Sequence, residues 1–226
     1  TLDFSDEVQD FTAYVDDPDP TVRALTIEGG TYESLTQDVG DPTVWYVQVD
    51  ATPDFTGELT VTANDTILDL SNRALVETTS DPLMVDTENA TVEITNDYVG
   101  NVVSGSESDL LFTLTFSEEV SGFDGSDLSV KFAHKFGGLI DVIEFRNLAP
   151  DLVDNGDGTF STTFEVTVPG EVEGDLQVSV DGSDILDTGG NTLLSNSTNF
   201  AVDTKTPQLI DAAFSHDGHT ISDSDV

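Results

Sequence analysis

Apolar and polar residues alternate along most of this chain, and the alternation predicts β-strands. The clearest case is segment 158–168, where Phe160, Phe164 and Val166 share one face at a spacing of two residues. Helical spacing never persists beyond about one turn. Between residues 90 and 202 the pattern predicts seven strands, at 90–97, 109–117, 127–133, 139–147, 158–168, 174–181 and 192–202. Seven short strands in about 115 residues, separated by turn residues, are typical of an immunoglobulin-like sandwich, with a closed barrel as the alternative.

The chain also repeats itself. The segment TLDFSDEV at 1–8 returns as TLTFSEEV at 113–120, and VDT at 85–87 returns at 202–204. The tripeptide ILD, which ends at Asp69, likewise returns at Asp187. The matches keep their order and their offset stays between 112 and 118 residues, as changes in loop length would produce. These matches indicate a tandem duplication.

The duplication predicts three segments in an all-β protein of tandem immunoglobulin-like sandwiches. Residues 86–202 form a complete unit (unit 2), residues 1–85 form a unit that lacks its first strand (unit 1), and residues 203–226 (the tail) hold the first strand of a following unit. The last residues, SDSDV, followed by the first, TLDFSDEV, parallel SESDLLFTLTFSEEV at 106–120. We therefore expect a window from a longer array. Residues 207–214 should form a strand like 90–97 and pair with unit 1 of the next covalent unit or of a neighbouring molecule.

Composition narrows the possible functions. There are 45 acidic and 6 basic side chains, which give a net charge of −39. A surface this acidic excludes nucleic acid and anionic membranes as partners, and no apolar run approaches the roughly 18 residues that membrane insertion needs. The absence of cysteine excludes disulfides, thiolate nucleophiles and cysteine zinc sites. No catalytic constellation stands above the acidic background, so we expect the chain not to be an enzyme.

Several segments of unit 2 resemble the tandem bacterial immunoglobulin-like domains of giant surface proteins, including the extender repeats of RTX-type adhesins. They are FSEEVSGFDGSDLSV at 116–130, DNGDGTFSTTFEV at 154–166, DILDTGGNTL at 184–193 and VDTKTP at 202–207. Unit 1 resembles them with more drift, since Asp69-Leu70-Ser71-Asn72 replaces the glycine-rich turn. The resemblance implies a structural repeat of an extracellular, cell-surface protein whose partners are neighbouring copies of the same repeat. It also implies Ca²⁺ at the linkers, which stiffens the array.

The placement of the acidic residues predicts such a calcium site. In an immunoglobulin-like sandwich, the loops after the second strand, before the fifth and after the sixth lie at one end, where the entering linker also arrives. Carboxylates gathered there repel one another, and Ca²⁺ accepts the oxygen ligands that flexible loops provide. The candidate ligands are Asp86, Glu118, Glu119, Asp184 and Asp187 in unit 2, Asp6, Glu7, Asp65 and Asp69 in unit 1, and Asp203, the repeat of Asp86. Two alternatives stay open: solvated turn residues, as expected for Asp154 and Asp157, and an acidic coat adapted to high salt.

Three functions remain compatible with the sequence. The first is a spacer, stalk or fibre subunit with Ca²⁺-stiffened junctions. The second is a self-assembling filament or sheath subunit joined by strand exchange. The third is a carbohydrate- or protein-binding accessory module of a secreted enzyme, although aromatic residues make up only 8% of the chain and mostly occupy core-type positions.

Overall fold

Strands, together with the turns and loops that join them, form almost all of the described part of this protein. The computed structural model describes residues 1–15, 17–98, 102–104, 109–137, 141–149, 151–168 and 170–210. Within these ranges the helical content is one 3-10 turn at Thr12–Tyr14. The predicted all-β sandwich fold is therefore confirmed. No helix in the described part of the chain has the length and apolar character that a bilayer crossing requires.

Unit 1 consists of two small sheets. Its strands are β1 (Leu2–Asp3), β2 (Leu25–Glu28), β3 (Gly30–Gln37), β4 (Val44–Ala51), β5 (Thr56–Ala63), β6 (Thr78–Thr79) and β7 (Leu83–Asp86). One sheet has the order β1-β4-β3, and in the other β5 pairs with β2 on one side and with β6 and β7 on the other. All of these pairings are antiparallel.

Unit 2 has the two facing sheets of an immunoglobulin-like sandwich. Its strands are β8 (Val92–Asn96), β9 (Val103–Ser104), β10 (Asp109–Phe116), β11 (Val120–Ser121), β12 (Leu128–His134), β13 (Asp141–Val142), β14 (Phe145–Arg146), β15 (Val153–Asp154), β16 (Phe160–Thr167), β17 (Glu173–Val180), β18 (Leu186–Asp187) and β19 (Asn196–Asp203). One sheet has the order β14-β16-β10-β8 and the other β13-β12-β17-β19-β9. These are the orders in which the immunoglobulin fold places its strands. Unit 1 keeps the order of the central strands, but its described residues form no counterpart of β8, β9 or β13, and an isolated bridge between Val8 and Asp69 takes the place of the β11-β18 pair.

The prediction of one strand over 139–147 is wrong. Strand β13 pairs with β12 in one sheet, whereas β14 pairs with β16 in the other. The chain therefore crosses between the sheets after Val142, and Ile143 and Phe145 pack against the core on the way. Alternation marks which face a residue occupies, but it does not mark a change of sheet. The other six predicted strands are present, with ends shifted by up to four residues.

The apolar faces bury two separate cores. In unit 2 the rings of Phe112 and Phe164 stack with centroids 5.2 Å apart, and both side chains are fully buried. The core of unit 1 is smaller. Within it, the rings of Phe11 and Trp45 lie with their centroids 4.9 Å apart. Most of the apolar burial, and hence most of the hydrophobic stabilisation, therefore belongs to unit 2.

Both copies attach the outgoing linker with the same hydrogen bonds. The Thr87 amide donates to the Phe55 carbonyl at 2.9 Å, and the Thr87 hydroxyl accepts from the Phe55 amide at 3.1 Å. At the end of unit 2, Thr204 and Val172 make the same two bonds at 2.9 and 3.1 Å. The duplication seen in the sequence thus extends to the backbone that leaves each unit.

Unit 1 keeps the shape of the turn after Asp69 without glycine. Asn72 has a φ of 61°, and Gly190, at the corresponding position of unit 2, has a φ of 89°. Asparagine tolerates this left-handed conformation better than most residues do. The amides of Asp69 and Asp187 accordingly donate to the carbonyls of Arg73 and Asn191, at 2.9 and 3.0 Å.

The tail is described only as far as residue 210. Asp86 ends β7 and Asp203 ends β19, while residues 204–210 form no strand. The side chains of Leu209 and Ile210 are 83% and 97% exposed. Residues 211–226, including half of the strand expected at 207–214, lie outside the described residues. The predicted pairing of this strand and the predicted domain boundaries stay predictions.

The separation of the cores predicts selective destabilisation. Phe164→Ala should lower the free energy of unfolding of unit 2 by about 3–5 kcal/mol, because it removes a buried ring and leaves a cavity. Urea unfolding followed by circular dichroism measures this loss. Fluorescence of Trp45, the single tryptophan and part of the unit 1 core, should keep its midpoint.

Phe136→Ala is the matched control for this experiment. The side chain of Phe136 is 82% exposed, so its removal should change stability by less than about 0.5 kcal/mol. An equal loss in the fluorescence and circular dichroism transitions of Phe164→Ala would contradict the separation of the two cores.

Candidate functional site

Three carboxylates converge where the linker from unit 1 meets unit 2. One carboxylate oxygen from each of Asp86, Glu118 and Asp187 lies within 4.8 Å of the other two. Asp86 ends β7, Glu118 follows β10, and Asp187 ends β18. Pairing of β11 with β18 places Val120 opposite Asp187 and so brings Glu118 to the group. We call these three residues the junction triad.

Asn191 ties the linker to the turn that follows β18. Its Nδ2 atom donates to the carbonyl oxygens of Asp86 and Glu88 at 3.2 and 3.1 Å. The same atom lies 3.1 Å from Oδ2 and 3.3 Å from Oδ1 of Asp187. One amide nitrogen, which carries two protons, therefore lies among four oxygen acceptors. Asn191 thus links the backbone of the linker to the Asp187 carboxylate of the triad.

The three carboxylates differ in their own hydrogen bonds. Oδ1 of Asp86 accepts from the Thr56 hydroxyl at 2.9 Å and from the Glu88 amide at 3.2 Å. Asp187 is only 6% exposed, and its Oδ1 accepts from the Asn191 amide at 2.8 Å. The Glu118 carboxylate accepts no hydrogen bond from any described residue. Glu118 therefore has both oxygens, and Asp86 has Oδ2, free to bind a cation.

The triad carries uncompensated negative charge. None of its members forms an ion pair with a lysine, arginine or histidine of the described residues. Partial burial raises the pKa of Glu118, and the neighbouring charges of Asp187, Asp86 and Glu88 raise this pKa further. Two like charges about 4 Å apart repel by ~1 kcal/mol in water and ~4 kcal/mol at an effective dielectric constant of about 20. A bound cation would remove this repulsion.

Unit 1 balances the corresponding charges with its own cation. Nε of Arg73 lies 2.6 Å from Oδ2 of Asp69, and Nη2 lies 4.0 Å from Oδ2 of Asp6. Asp6 and Asp69 correspond to Glu118 and Asp187 in the repeat, and Arg73 corresponds to Asn191. The hydrogen bond from the Arg73 amide lowers the pKa of Asp69, and the guanidinium group lowers it further. The two units therefore differ in charge at otherwise matching positions.

The remaining predicted ligands lie apart from the triad. Within the described ranges, Glu7, Asp65, Glu119 and Asp184 are exposed and join no group of three candidate ligands. The Asp203 carboxylate accepts from the Lys205 amide at 3.2 Å. The structure thus brings together three of the five candidates in unit 2.

Asp154 and Asp157 form a turn, as expected. Oδ1 of Asp154 accepts from the Gly156 amide at 2.8 Å, and Oδ1 of Asp157 accepts from the Thr159 amide at 3.1 Å. The corresponding residues of unit 1, Asp38 and Asp41, accept from Gly40 and Thr43 in the same way at 2.7 and 3.0 Å. Each of these four carboxylates therefore accepts a hydrogen bond from a backbone amide of its own turn.

Neither Asn191 nor Arg73 was among the residues predicted from the sequence to form a site. A signal for Arg73 was present, because it is one of only six basic residues and stands four positions after a repeated aspartate. A signal for Asn191 was weaker, because its contacts with Asp86 and Glu88 join residues more than 100 positions apart.

Comparison with known protein families and with curated protein sequences finds no match for this chain.

The ion pairs of Arg73 predict a salt-sensitive contribution to unit 1. Arg73→Gln should lower the free energy of unfolding by up to about 1 kcal/mol, since the guanidinium group is largely exposed and its loss leaves Asp6 and Asp69 unbalanced. The Trp45 fluorescence transition measures this change. The difference should shrink in high salt, which screens the remaining repulsion.

Arg146→Gln provides the control, because Arg146 makes comparable exposed ion pairs with Asp109 and Glu165 in unit 2. Arg146→Gln should not change the midpoint of the unfolding transition that Trp45 fluorescence reports. A loss in Arg73→Gln that does not depend on salt would indicate that packing, and not charge, explains the effect.

Proposed function

We propose that this chain is a structural repeat of a long extracellular bacterial surface protein and acts as a spacer or stalk. The observation that carries the proposal is the matching attachment of the linker after each unit, through Thr87 to Phe55 and through Thr204 to Val172. Because each unit attaches its outgoing linker in the same way, further units can follow one another along a line. The extracellular setting rests on the resemblance to tandem domains of surface proteins.

Two further features support a spacer and not an enzyme. Each unit buries its own apolar core, so adding units lengthens the protein without rebuilding the ones already present. The chain offers no cysteine and only three histidines for nucleophilic or acid–base chemistry. The proposal accordingly includes no catalytic step.

We also propose that Ca²⁺ binds the junction triad and stiffens the linker. The ligands would be carboxylate oxygens of Asp86, Glu118 and Asp187. Oxygen ligands from loops suit the six-to-eight-coordinate shell of Ca²⁺, whereas Mg²⁺ demands a tighter octahedron. Because Asp86 belongs to the linker and the other two ligands belong to unit 2, a shared ion would restrain the angle between them. In unit 1, Arg73 stands where unit 2 has the neutral Asn191. Its guanidinium group already offsets the repulsion between Asp6 and Asp69, so this end of unit 1 has less need of a bound Ca²⁺.

Calcium titration tests this part of the proposal. Extracellular modules bind Ca²⁺ with Kd of roughly 10⁻⁴–10⁻³ M, and saturation at about 100 times Kd should add about 2.7 kcal/mol to the stability of unit 2. Thermal unfolding should show the gain, and small-angle scattering should show a narrower distribution of interdomain distances. A chelator should reverse both changes, and Mg²⁺ should restore them poorly.

Two variants with the same chemical change separate the triad from general acidity. Glu118→Gln should raise the melting temperature in chelator, because it removes repulsion, and should abolish most of the gain from Ca²⁺. Glu119→Gln removes the adjacent exposed carboxylate and should respond to Ca²⁺ like the unsubstituted protein. If chelator at constant ionic strength changes neither melting nor scattering, the acids are a solvation coat and the calcium proposal fails.

A further inference from the structure

Unit 2 has an open groove beside its core, which we call the unit 2 groove. It is a cavity of about 590 Å³ between the loop that follows β11 and the segment that joins β14 to β15. Half-buried side chains that also pack against the core form its floor: Phe123, Leu148 and Leu152. Exposed carboxylates form its rim: Glu119, Asp124 and Asp151. An apolar floor under an acidic rim suits a ligand that combines an apolar body with a positive charge.

Hydrogen bonds hold both walls of the unit 2 groove in place. In the loop after β11, the Asp124 amide donates to Oδ2 of Asp127 at 2.8 Å. In the opposite wall, the Ala149 amide donates to the Thr163 carbonyl of β16 at 3.0 Å. The groove is therefore formed before a ligand arrives, which lowers the cost of ordering these segments on binding.

Unit 1 covers the corresponding aromatic ring with a tryptophan. Phe11 corresponds to Phe123 in the repeat, and it is only 4% exposed, with the Trp45 ring 4.9 Å away. The position at which β4 places Trp45 opposite β1 is the position at which β16 places Thr162 opposite β10. The side chain of Thr162 is much smaller, and its hydroxyl donates to the Ala149 carbonyl at 3.2 Å. Unit 2 therefore leaves Phe123 partly uncovered where unit 1 covers its counterpart.

Unit 2 also exposes an aromatic side chain next to a positive charge. Phe136 follows β12, and its side chain is 82% exposed. Nζ of Lys135 lies 5.6 Å from the centroid of the Phe136 ring. Lys135 and the exposed Lys131 are two of only six basic residues in the chain. A large aromatic side chain beside a cation has the features of an anchor at a protein interface.

Strand pairing places the unit 2 groove and Phe136 at opposite ends of unit 2. Phe160 lines the groove and pairs with Phe116, at the end of the sandwich where the linker from unit 1 enters. His134, two residues before Phe136, pairs with Gly174 at the end where the chain leaves unit 2. A contact between Phe136 and the groove therefore joins two copies of the unit and cannot form within one.

We propose that the unit 2 groove binds Phe136 of a second copy of this chain, with Lys135 of that copy facing the acidic rim. Charge complementarity favours this occupant, because the rim repels most of the surface of a chain with 45 acidic and 6 basic residues but attracts the segment that carries Lys131 and Lys135. The groove and the ring lie on different surfaces, so the contact is head to tail and can continue along a line. It goes beyond the spacer function and uses neither the junction triad nor calcium.

A photoreactive residue in place of Phe136 tests the proposal in the full chain. Benzoylphenylalanine keeps an aromatic ring and forms a cross-link to the groups that it touches under light. The measurement is made in chelator at about 0.15 M NaCl, where the Debye length of about 8 Å screens distant charges on the two copies. We expect a species of two chains, with the link mapped by mass spectrometry to Phe123, Leu148 or Leu152. The same probe in place of Leu194, which is 53% exposed outside the groove, should give at least about tenfold less of this species.

Two matched pairs of variants locate the contact. Leu152→Asp places a charge on the floor of the unit 2 groove and should abolish the cross-link, whereas Val153→Asp changes the adjacent side chain, which lies outside the groove, and should not. Asp151→Lys should weaken the contact at least about tenfold, because the rim then repels Lys135. Glu144→Lys makes the same change at an exposed position outside the groove and should leave the contact unchanged. Circular dichroism confirms that each variant is folded.

A capped peptide of residues 133–137 gives a second measurement. It should bind the Phe136→Ala chain and fail to bind a chain that also carries Leu152→Asp. Cross-links that map outside the groove, or that persist in the Leu152→Asp chain, would overturn the proposal. Binding of the peptide without a cross-linked pair of chains would reject a second copy as the occupant and indicate another protein with a cationic, aromatic segment. Because calcium is absent throughout, these results are independent of the proposed calcium site.

Discussion

Burial of alternating side chains between two sheets holds this protein together against a net charge of −39. The fully buried rings of Phe112, Phe132 and Phe164 each contribute about 1.5–3 kcal/mol of transfer free energy in unit 2. Because alternate strand positions face outward, acidic residues can occupy the surface and the loops without entering the cores. Among the described residues Asp187 is the buried exception, and hydrogen bonds from Asn191 compensate its burial. At the end of unit 2 where the linker arrives, three carboxylates come within 4.8 Å of one another.

The two units respond to this repulsion differently. In unit 1 the permanently charged guanidinium group of Arg73 pairs with both Asp6 and Asp69. The positive charge that offsets these carboxylates is therefore part of the protein itself. In unit 2 the neutral Asn191 holds the linker in place but adds no charge, and Asp86, Glu118 and Asp187 keep theirs. Under the proposed function this difference has a physical consequence. The junction would respond to the calcium concentration of its surroundings, whereas the corresponding end of unit 1 would not.

Strand edges provide the second constraint. A sheet edge leaves backbone amides and carbonyls without partners, and in unit 2 the added strands β8 and β9 satisfy the edges of β10 and β19. In unit 1 the edges of β1 and β6 border an apolar groove instead.

Local patterns in the sequence determined the strands, the duplication and the pool of candidate ligands, because each follows from residue spacing within a short segment or from direct repetition. Tertiary structure decided what those residues do. The alternating pattern over 139–147 predicted a single strand, but the pairing of β13 with β12 and of β14 with β16 showed that the chain changes sheets between them. Of Glu118 and Glu119, one joins the triad because neighbouring side chains leave the backbone in different directions, and the pairing of β11 with β18 selects which direction meets Asp187. Contacts of this kind join residues far apart in the chain. The predicted fold placed five carboxylates of unit 2 at one end of the sandwich, but strand pairing and side-chain direction decided which three of them meet.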